Sequence, residues 1–548
     1  MSASQQKKTR SQSDETLSKR QAAKAAELAK AKKEKKNITI ITVCFAIFAA
    51  LVIFLNSSLF YRVLPAVKVG DVSYSVSDYS FFYRSQYLGL VNGYASFYDQ
   101  TQPLSVQQCM FDSTKTWEEY FQDAARESAE ASLKSVTMLY TEATNAGFTI
   151  SDEDRQAYEE TLESYKNSHV GTDFTSADKY VSAAYGKGLN ISRIAKLLEM
   201  SFVATAYEEY LYDTYMFTAE ELAANYEENK DNYDSYSFLY YFVSGAPAPA
   251  AEGEERTEEQ TAALKEEAMA MAKATAESIV ANAVVGEPES VEDDDNAENA
   301  ENVDEAESET DSAVGELESV VDAPFAAEDA FLNSVYEETG AVANNNYTQG
   351  SGLGAEYADW LKASSRTFGD MEVIEGASGY HVLFFMRRDE NTYETVKIRH
   401  ILIKAVADAD GNYTDEAKDA ASARAEELLA EWKAGDATED SFAELANLYS
   451  EDPGSNTTGG FYEKFAKHAM VPEFDSWVYD SARKEGDTGI VLNDSTVGYH
   501  VIYFAGYGPV MRDTLADEAL RTKAHEDWTT AETEKYSFET AFGFKLVQ

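Results

Sequence analysis

The chain has 548 residues, a formal net charge of −51 and two cysteines. The length exceeds what one hydrophobic core serves, so several domains are expected. Only Cys109 lies outside the apolar run near the N-terminus, which excludes an intrachain disulfide from the remainder. There is no phosphate-binding glycine loop, no metal-spaced Cys/His set and no Gly-x-Ser-x-Gly elbow, so the sequence calls for neither a cofactor nor a metal.

Residues 1–37 are polar and basic, with eleven Lys and Arg against four Asp and Glu. Aromatic residues are not interleaved among them, which argues against a nucleic-acid arm. From Ile38 to Leu55 no residue is charged, and apolar character continues through Tyr61. Residues 38–61 are therefore expected to form a transmembrane anchor. The Lys/Arg excess before it places the N-terminus in the cytoplasm and the bulk outside. The leading region is long for a cleaved signal peptide, and no small-x-small site follows Leu55. Cys44 follows Val43 inside the apolar run, unlike a lipoprotein cysteine.

Residues 62–234 read as mostly helical. Val67 to Asp71 suggests a short strand and turn. Trp117, Tyr120, Phe121, Ala124 and Ala125 recur at helical spacing, and Gly147 closes that helix. Ser151 to Asp154 starts another, Ile191 to Tyr215 forms a third, and Thr218-Ala219-Glu220-Glu221 has the form of a capping box. Cys109, with no neighbouring base or cation, reads as a small buried hydrophobe.

Residues 235–390 open with the run Tyr236 to Val243 and close with Gly379-Tyr380-His381-Val382-Leu383-Phe384-Phe385. That closing run repeats Gly498-Tyr499-His500-Val501-Ile502-Tyr503-Phe504, a sign of an internal repeat. Between them, residues 287–318 are crowded with Asp and Glu, and no Lys or Arg occurs between Lys273 and Lys362. Such a segment buries too little apolar surface to order itself and is expected to be a disordered insertion. No glycine turn or distal glutamate completes a calcium loop around Asp293 to Asp295.

Residues 395–507 carry the chemistry. Val396 to Ile403 alternates as a half-buried strand with His400 on one face. Helical segments come next at Asp415–Trp432 and Phe442–Leu448, then the loop Tyr449-Ser450-Glu451-Asp452-Pro453-Gly454 and the run Gly459-Gly460-Phe461. Met470-Val471-Pro472-Glu473-Phe474 opens a short helix, and Gly498 to Phe504 is a closing strand. Residues 508–548 are expected to return to helix near Asp517 to Glu534, with a tail packing back on the helical domain.

This succession resembles the parvulin family of peptidyl-prolyl cis/trans isomerases, in particular the membrane-anchored extracytoplasmic foldases of Gram-positive bacteria. The resemblance implies an α+β architecture: an N-terminal transmembrane helix, a mostly helical chaperone domain and two parvulin-like modules, each an antiparallel sheet wrapped by helices. It implies His400, Asp452 and His500 as the catalytic cluster, and Met470, Phe474 and Phe461 around the proline ring. Met470 and Phe474 stand four apart, on one helical face. In the first module, Tyr240 and Tyr241 stand where a histidine is expected, so it reads as a degenerate copy without activity. The partners implied are unfolded secreted polypeptides with X-Pro segments, and the membrane through one helix. A holdase whose module binds without isomerising is the alternative, and a surface scaffold is a third reading for which no motif is found.

Overall fold

The computed structural model describes residues 3–250, 256–284, 315–408, 411–493 and 497–547. Its first element is one continuous helix, α1 (Ala3–Asn56), in which the basic segment and the apolar run share a single axis. Ala, Lys, Glu and Gln dominate the basic half and are strong helix formers, a propensity that charge counting alone does not register. Ile41, Phe45, Phe48 and Ile53 are exposed along it, and Ala22–Leu55 is long and apolar enough to cross a membrane. Within the stretch 38–61 expected as an anchor, the extended backbone of Ser57 separates α1 from the short helix α2 (Ser58–Val63).

A hairpin comes next, β1 (Pro65–Val69) and β2 (Val72–Ser75), and then helices α3 (Val76–Gly93), α4 (Trp117–Ala146), α5 (Asp152–Asn167), α6 (Ala177–Ala184) and α7 (Ile191–Thr214). Capping boxes at Ser75, Thr116 and Ser151 satisfy the free amides that open α3, α4 and α5. Gly147, at φ +68°, closes α4 with a left-handed cap. Helices α3, α4 and α7 bury Phe81, Phe82, Leu133, Met138, Ile194 and Leu197 in one core. Cys109 is buried against Trp117 and Phe121.

Helix α8 (Ala219–Tyr233) begins the second compact unit, Phe217–Leu520. The boundary expected at 234 thus falls earlier. The reason is Asp234, which is 1% exposed and receives both Tyr226 Oη at 2.6 Å and Arg388 Nε at 2.5 Å, tying α8 to the first of two sheets in this unit.

That unit contains the same fold twice. The first module runs β3 (Ser235–Ser244), α9 (Glu258–Asn282), α10 (Gly315–Thr339), β4 (Asn344–Gln349), α11 (Ala358–Lys362), β5 (Met371–Gly376) and β6 (Gly379–Asp389). The second runs β7 (Glu394–Lys404), α12 (Asp415–Ala434), α13 (Glu439–Tyr449), β8 (Phe461–Glu463), α14 (Pro472–Val478), β9 (Thr488–Asn493) and β10 (Gly498–Val510). Their antiparallel sheets have matching orders, β4-β3-β6-β5 and β8-β7-β10-β9. Even the turns agree: Arg366 Nε binds Trp360 O and Arg483 Nε binds Trp477 O, at 3.0 and 2.8 Å. The acidic stretch from 287 to 314 lies outside the described residues, and from Gly315 the chain is helical.

Helix α15 (Met511–Thr533) and strand β11 (Phe538–Thr540) come next, followed by a short 3-10 helix at Phe542–Leu546. Met511 N and Arg512 N bind Tyr393 O and Asn391 O, so the start of α15 belongs with the modules, and the expected domain limit at 508 shifts into this helix. From Arg521 onward the chain rejoins the first unit. There β11 pairs with β1, Val69 opposite Phe538, giving the three-stranded sheet β11-β1-β2.

Candidate functional site

Strand β7 is buried on both faces rather than one. Ile401 and Ile403 pack beneath α12 and α13, whereas Val396 and Ile398 share the opposite face with Phe474 of α14. His400 belongs to that second face and is 5% exposed. On the neighbouring strand β10, His500 stands opposite Leu402, two positions from the partner of His400, so alternation puts both rings on the same side. The rings stack, and the two Nδ1 atoms lie 3.0 Å apart.

The loop 450–460 brings in the acid. It runs back along β7: Glu451 N binds Leu402 O at 2.9 Å, and His400 N binds Gly460 O at 2.8 Å. Gly459 and Gly460 have φ of +68° and +69°, and a Cβ on Gly460 would collide with the His400 carbonyl, so the glycine pair is what allows this approach. Arg399, on the far face, fastens the same turn by binding the carbonyls of Thr458 and Gly459. Within the loop, Asp452 Oδ2 lies 3.0 Å from His400 Nε2 and accepts Ser455 Oγ at 2.6 Å and Tyr462 Oη at 3.0 Å.

The electrostatics fix the protonation states. Burial pushes His400 below its ordinary value despite the pull of Asp452. Burial and the adjacent His400 push His500 down to about 4. Burial would raise Asp452, but hydrogen bonds from Ser455, the Gly454 amide and His400 outweigh it and hold the carboxyl at about 2. At neutral pH the acid is therefore ionised and both imidazoles are neutral. One tautomer pattern then satisfies every contact. His400 donates from Nε2 to Asp452 and accepts at Nδ1 from His500, whose Nε2 in turn accepts Asn493 Nδ2 at 3.3 Å. The polarity runs one way, from Asn493 to the carboxylate.

Beside this relay lies a cavity of about 150 Å³ lined by His400, Asp452, Tyr462, Met470, Val471, Phe474, Asn493 and His500. Phe474 is 2% exposed, and its ring meets His500 edge-on at 5.1 Å. The floor is apolar and one wall polar, a shape that takes a small aliphatic ring with an amide attached.

Of the residues expected at the site, the structure brings together His400, Asp452, His500, Met470 and Phe474. Phe461 stands apart: its ring lies 5.0 Å beneath the Arg399 guanidinium, on the far face of the sheet. Alternation makes the next residue, Tyr462, the one that lines the cavity. Ser455, Tyr462, Val471 and Asn493 are the site residues that sequence reasoning misses. Alternation puts Phe461 and Tyr462 on opposite faces without saying which one meets the cavity, whereas Ser455 and Asn493 carry no periodic signal. Among the described residues no cluster of His, Cys, Asp and Glu is placed to hold a metal ion.

The first module has the corresponding positions with other side chains. Tyr240 takes the place of His400 and bonds His381 Nδ1 at 3.0 Å. Leu353 and Tyr357 pack where Met470 and Phe474 do, a four-residue spacing whose residues do not match the letters Met-x-x-x-Phe. The acid-bearing loop has no counterpart, since residues 340–343 alone connect α10 to β4.

Residues 381–506 match the family model described as the PPIC-type PPIASE domain. Over 163 residues the chain is 32% identical to the Chaperone SurA of Alkalilimnicola ehrlichii, covering 28% of this chain and 35% of that protein. Over 106 residues it is 35% identical to the Foldase protein PrsA of Halalkalibacterium halodurans, covering 18% and 30%. A crystal structure of the peptidylprolyl isomerase PrsA from Bacillus anthracis matches at 26% identity over 29% of this chain and 59% of that one, with a TM-score of 0.17. The chain spans about a third of the length of the curated relatives it matches.

Proposed function

We propose that this chain, with a PPIC-type domain at residues 381–506, is a peptidyl-prolyl cis/trans isomerase and foldase. It is held by a single membrane-spanning helix with its N-terminus in the cytoplasm and acts on unfolded secreted polypeptides outside the membrane. Residues 62–234 serve as the chaperone part, 235–390 as a module without isomerase activity, and 395–507 as the isomerase. The observation that carries this is the Asn493-His500-His400-Asp452 relay flanking an apolar cavity of ring size.

Rotation about an X-Pro bond crosses roughly 20 kcal/mol and breaks no covalent bond, so the site has only to favour the twisted amide over the planar one. Met470, Val471 and Phe474 seat the pyrrolidine ring. A planar amide is strongly dipolar, and twisting uncouples the nitrogen from the carbonyl and weakens that dipole. The dry floor therefore disfavours the ground state more than the twisted state. His400 and Ser455, whose donors are both held by Asp452, fix its charge beside the ring, and their fully bonded state avoids reorganisation during rotation.

The test is cis/trans exchange of an X-Pro peptide measured by NMR exchange spectroscopy with the whole chain. Acceleration that is lost in His400→Ala supports the proposal. Suppression of aggregation without any acceleration makes the chain a holdase instead.

A further inference from the structure

The wall of the ring cavity is not held by the second module alone. Met470 closes a loop, residues 464–470, that turns back on itself through left-handed backbone at Lys464 and His468, with φ of +57° and +64°. Non-glycine residues adopt that conformation uncommonly, His more readily than Lys, and here the contacts around the loop hold it. From α14, Asp475 Oδ1 accepts His468 N at 2.7 Å, and Tyr479 Oη binds Phe465 O. From the connection between the modules, Tyr393 Oη accepts Lys467 N at 3.0 Å, and its ring lies 4.5 Å from Lys467 Nζ. From the first module, Tyr347 on edge strand β4 places its ring edge-on against the His468 ring at 4.5 Å.

Tyr347 is itself fixed. Its hydroxyl donates to Asp389 Oδ2 at 2.9 Å, and Asp389 Oδ1 accepts the amide of Asn391, which is 1% exposed. Asn391 Nδ2 binds Tyr233 O and Ser235 Oγ at the start of the first module. A rigid edge of one module thus bears on a strained loop of the other, two residues before the cavity wall.

The geometry points to Tyr347 as a positioning residue for the isomerase site: the first module sets the placement of Met470 through His468. This rests on the isomerase function proposed above. It gives the degenerate module a task that needs no catalytic group of its own. Because Met470 touches the proline ring in both the planar and twisted states, its displacement weakens binding without slowing the bound step.

The experiment is Tyr347→Ala in the full chain, read by KM and kcat on an X-Pro peptide and by the methyl NMR signal of 13C-labelled Met470. The expected result is KM raised about fivefold with kcat retained, together with a shifted Met470 methyl signal. Tyr347→Phe, which keeps the ring on His468 and gives up the hydroxyl's hold on Asp389, moves both readouts less than Tyr347→Ala does. His468→Asn removes the facing ring in a residue type that tolerates left-handed backbone, and it reproduces the alanine result even if Tyr347→Ala folds poorly. A Met470 signal unmoved in both Tyr347→Ala and His468→Asn, or a KM unmoved in both, overturns the inference. A parent chain that accelerates no exchange defeats the function proposed above, while the Met470 signal still tests the placement.

Discussion

Tyr240 and His400 occupy the same register position in two sheets of matching strand order: Tyr240 Oη stands 3.0 Å from His381 Nδ1, and His400 Nδ1 stands 3.0 Å from His500 Nδ1. The strand registers agree. Phe242 faces His381 as Leu402 faces His500, which puts Tyr240 and His400 each two residues earlier on the first strand. The relay in the first module therefore stops at Tyr240, since no carboxylate stands beyond it.

Restoring the ring alone is expected to be futile. In a chain inactivated by His400→Ala, adding Tyr240→His returns no isomerisation, because residues 340–343 supply neither the acid nor the hydroxyl of the loop around Asp452 and Ser455. Recovery of more than a few per cent of the parent exchange rate, abolished again by His381→Ala, would place activity in the first module.

His400→Ala and Asp452→Ala are each expected to lower kcat/KM at least tenfold, about 1.4 kcal/mol of transition-state stabilisation. Their cost in stability is about 1–3 kcal/mol, that of leaving buried partners unsatisfied. Peptide exchange and urea denaturation on the same preparations separate the two effects. Undiminished activity in both variants would remove these residues from the site.

How much of this site is legible in the sequence depends on which features repeat. His400, His500 and Asp452 lie in runs with strand alternation or a glycine-bounded loop, and Met470 and Phe474 share a helical spacing. Phe461 and Tyr462 are adjacent aromatics on a three-residue strand, too short for alternation to name its inner face, and the sheet turns Tyr462 inward. The first module hides its Leu353 and Tyr357 because α11 is five residues long and the motif letters have changed. The helices of residues 76–215 are legible because capping boxes and Gly147 mark their ends locally. The helix through the basic segment escapes a charge count, which ignores propensity.

Gly460→Ala is expected to cost about 1–3 kcal/mol, because its backbone is left-handed and a methyl there meets the His400 carbonyl. Activity should fall further than stability, since the displaced strand carries His400. Gly435→Ala, at a helix end with nothing closer than 3.5 Å, is the control, and equal effects of the two on isomerisation would refute the argument.

The histidines set an acid limit. Their native pKa values lie below the unfolded value of 6.5, with His500 at about 4, so between those values the unfolded chain binds more protons than the native one. Stability is therefore level above pH 6.5 with respect to these groups and declines as pH falls from 6.5 toward 4. Asp452, at about 2 against an ordinary 3.8, adds a second decline below 3.8. Urea midpoints measured from pH 8 to pH 4 should bend near 6.5, and the bend should flatten in His500→Asn.

Topology is open to a direct test. Protease added to intact protoplasts should digest the chain beyond Arg62 and spare residues 1–37. Protection of the modules until lysis would reverse the orientation.

The pairing of Val69 with Phe538 has a temporal side. In the order of synthesis β1 comes first, and β11 follows both modules. The edge of β1 that β11 covers therefore stays unpaired until both modules have been made, and the three-stranded sheet closes only after them. A chain interrupted or clipped before Phe538 is left with that strand edge bare, a template for pairing with other chains.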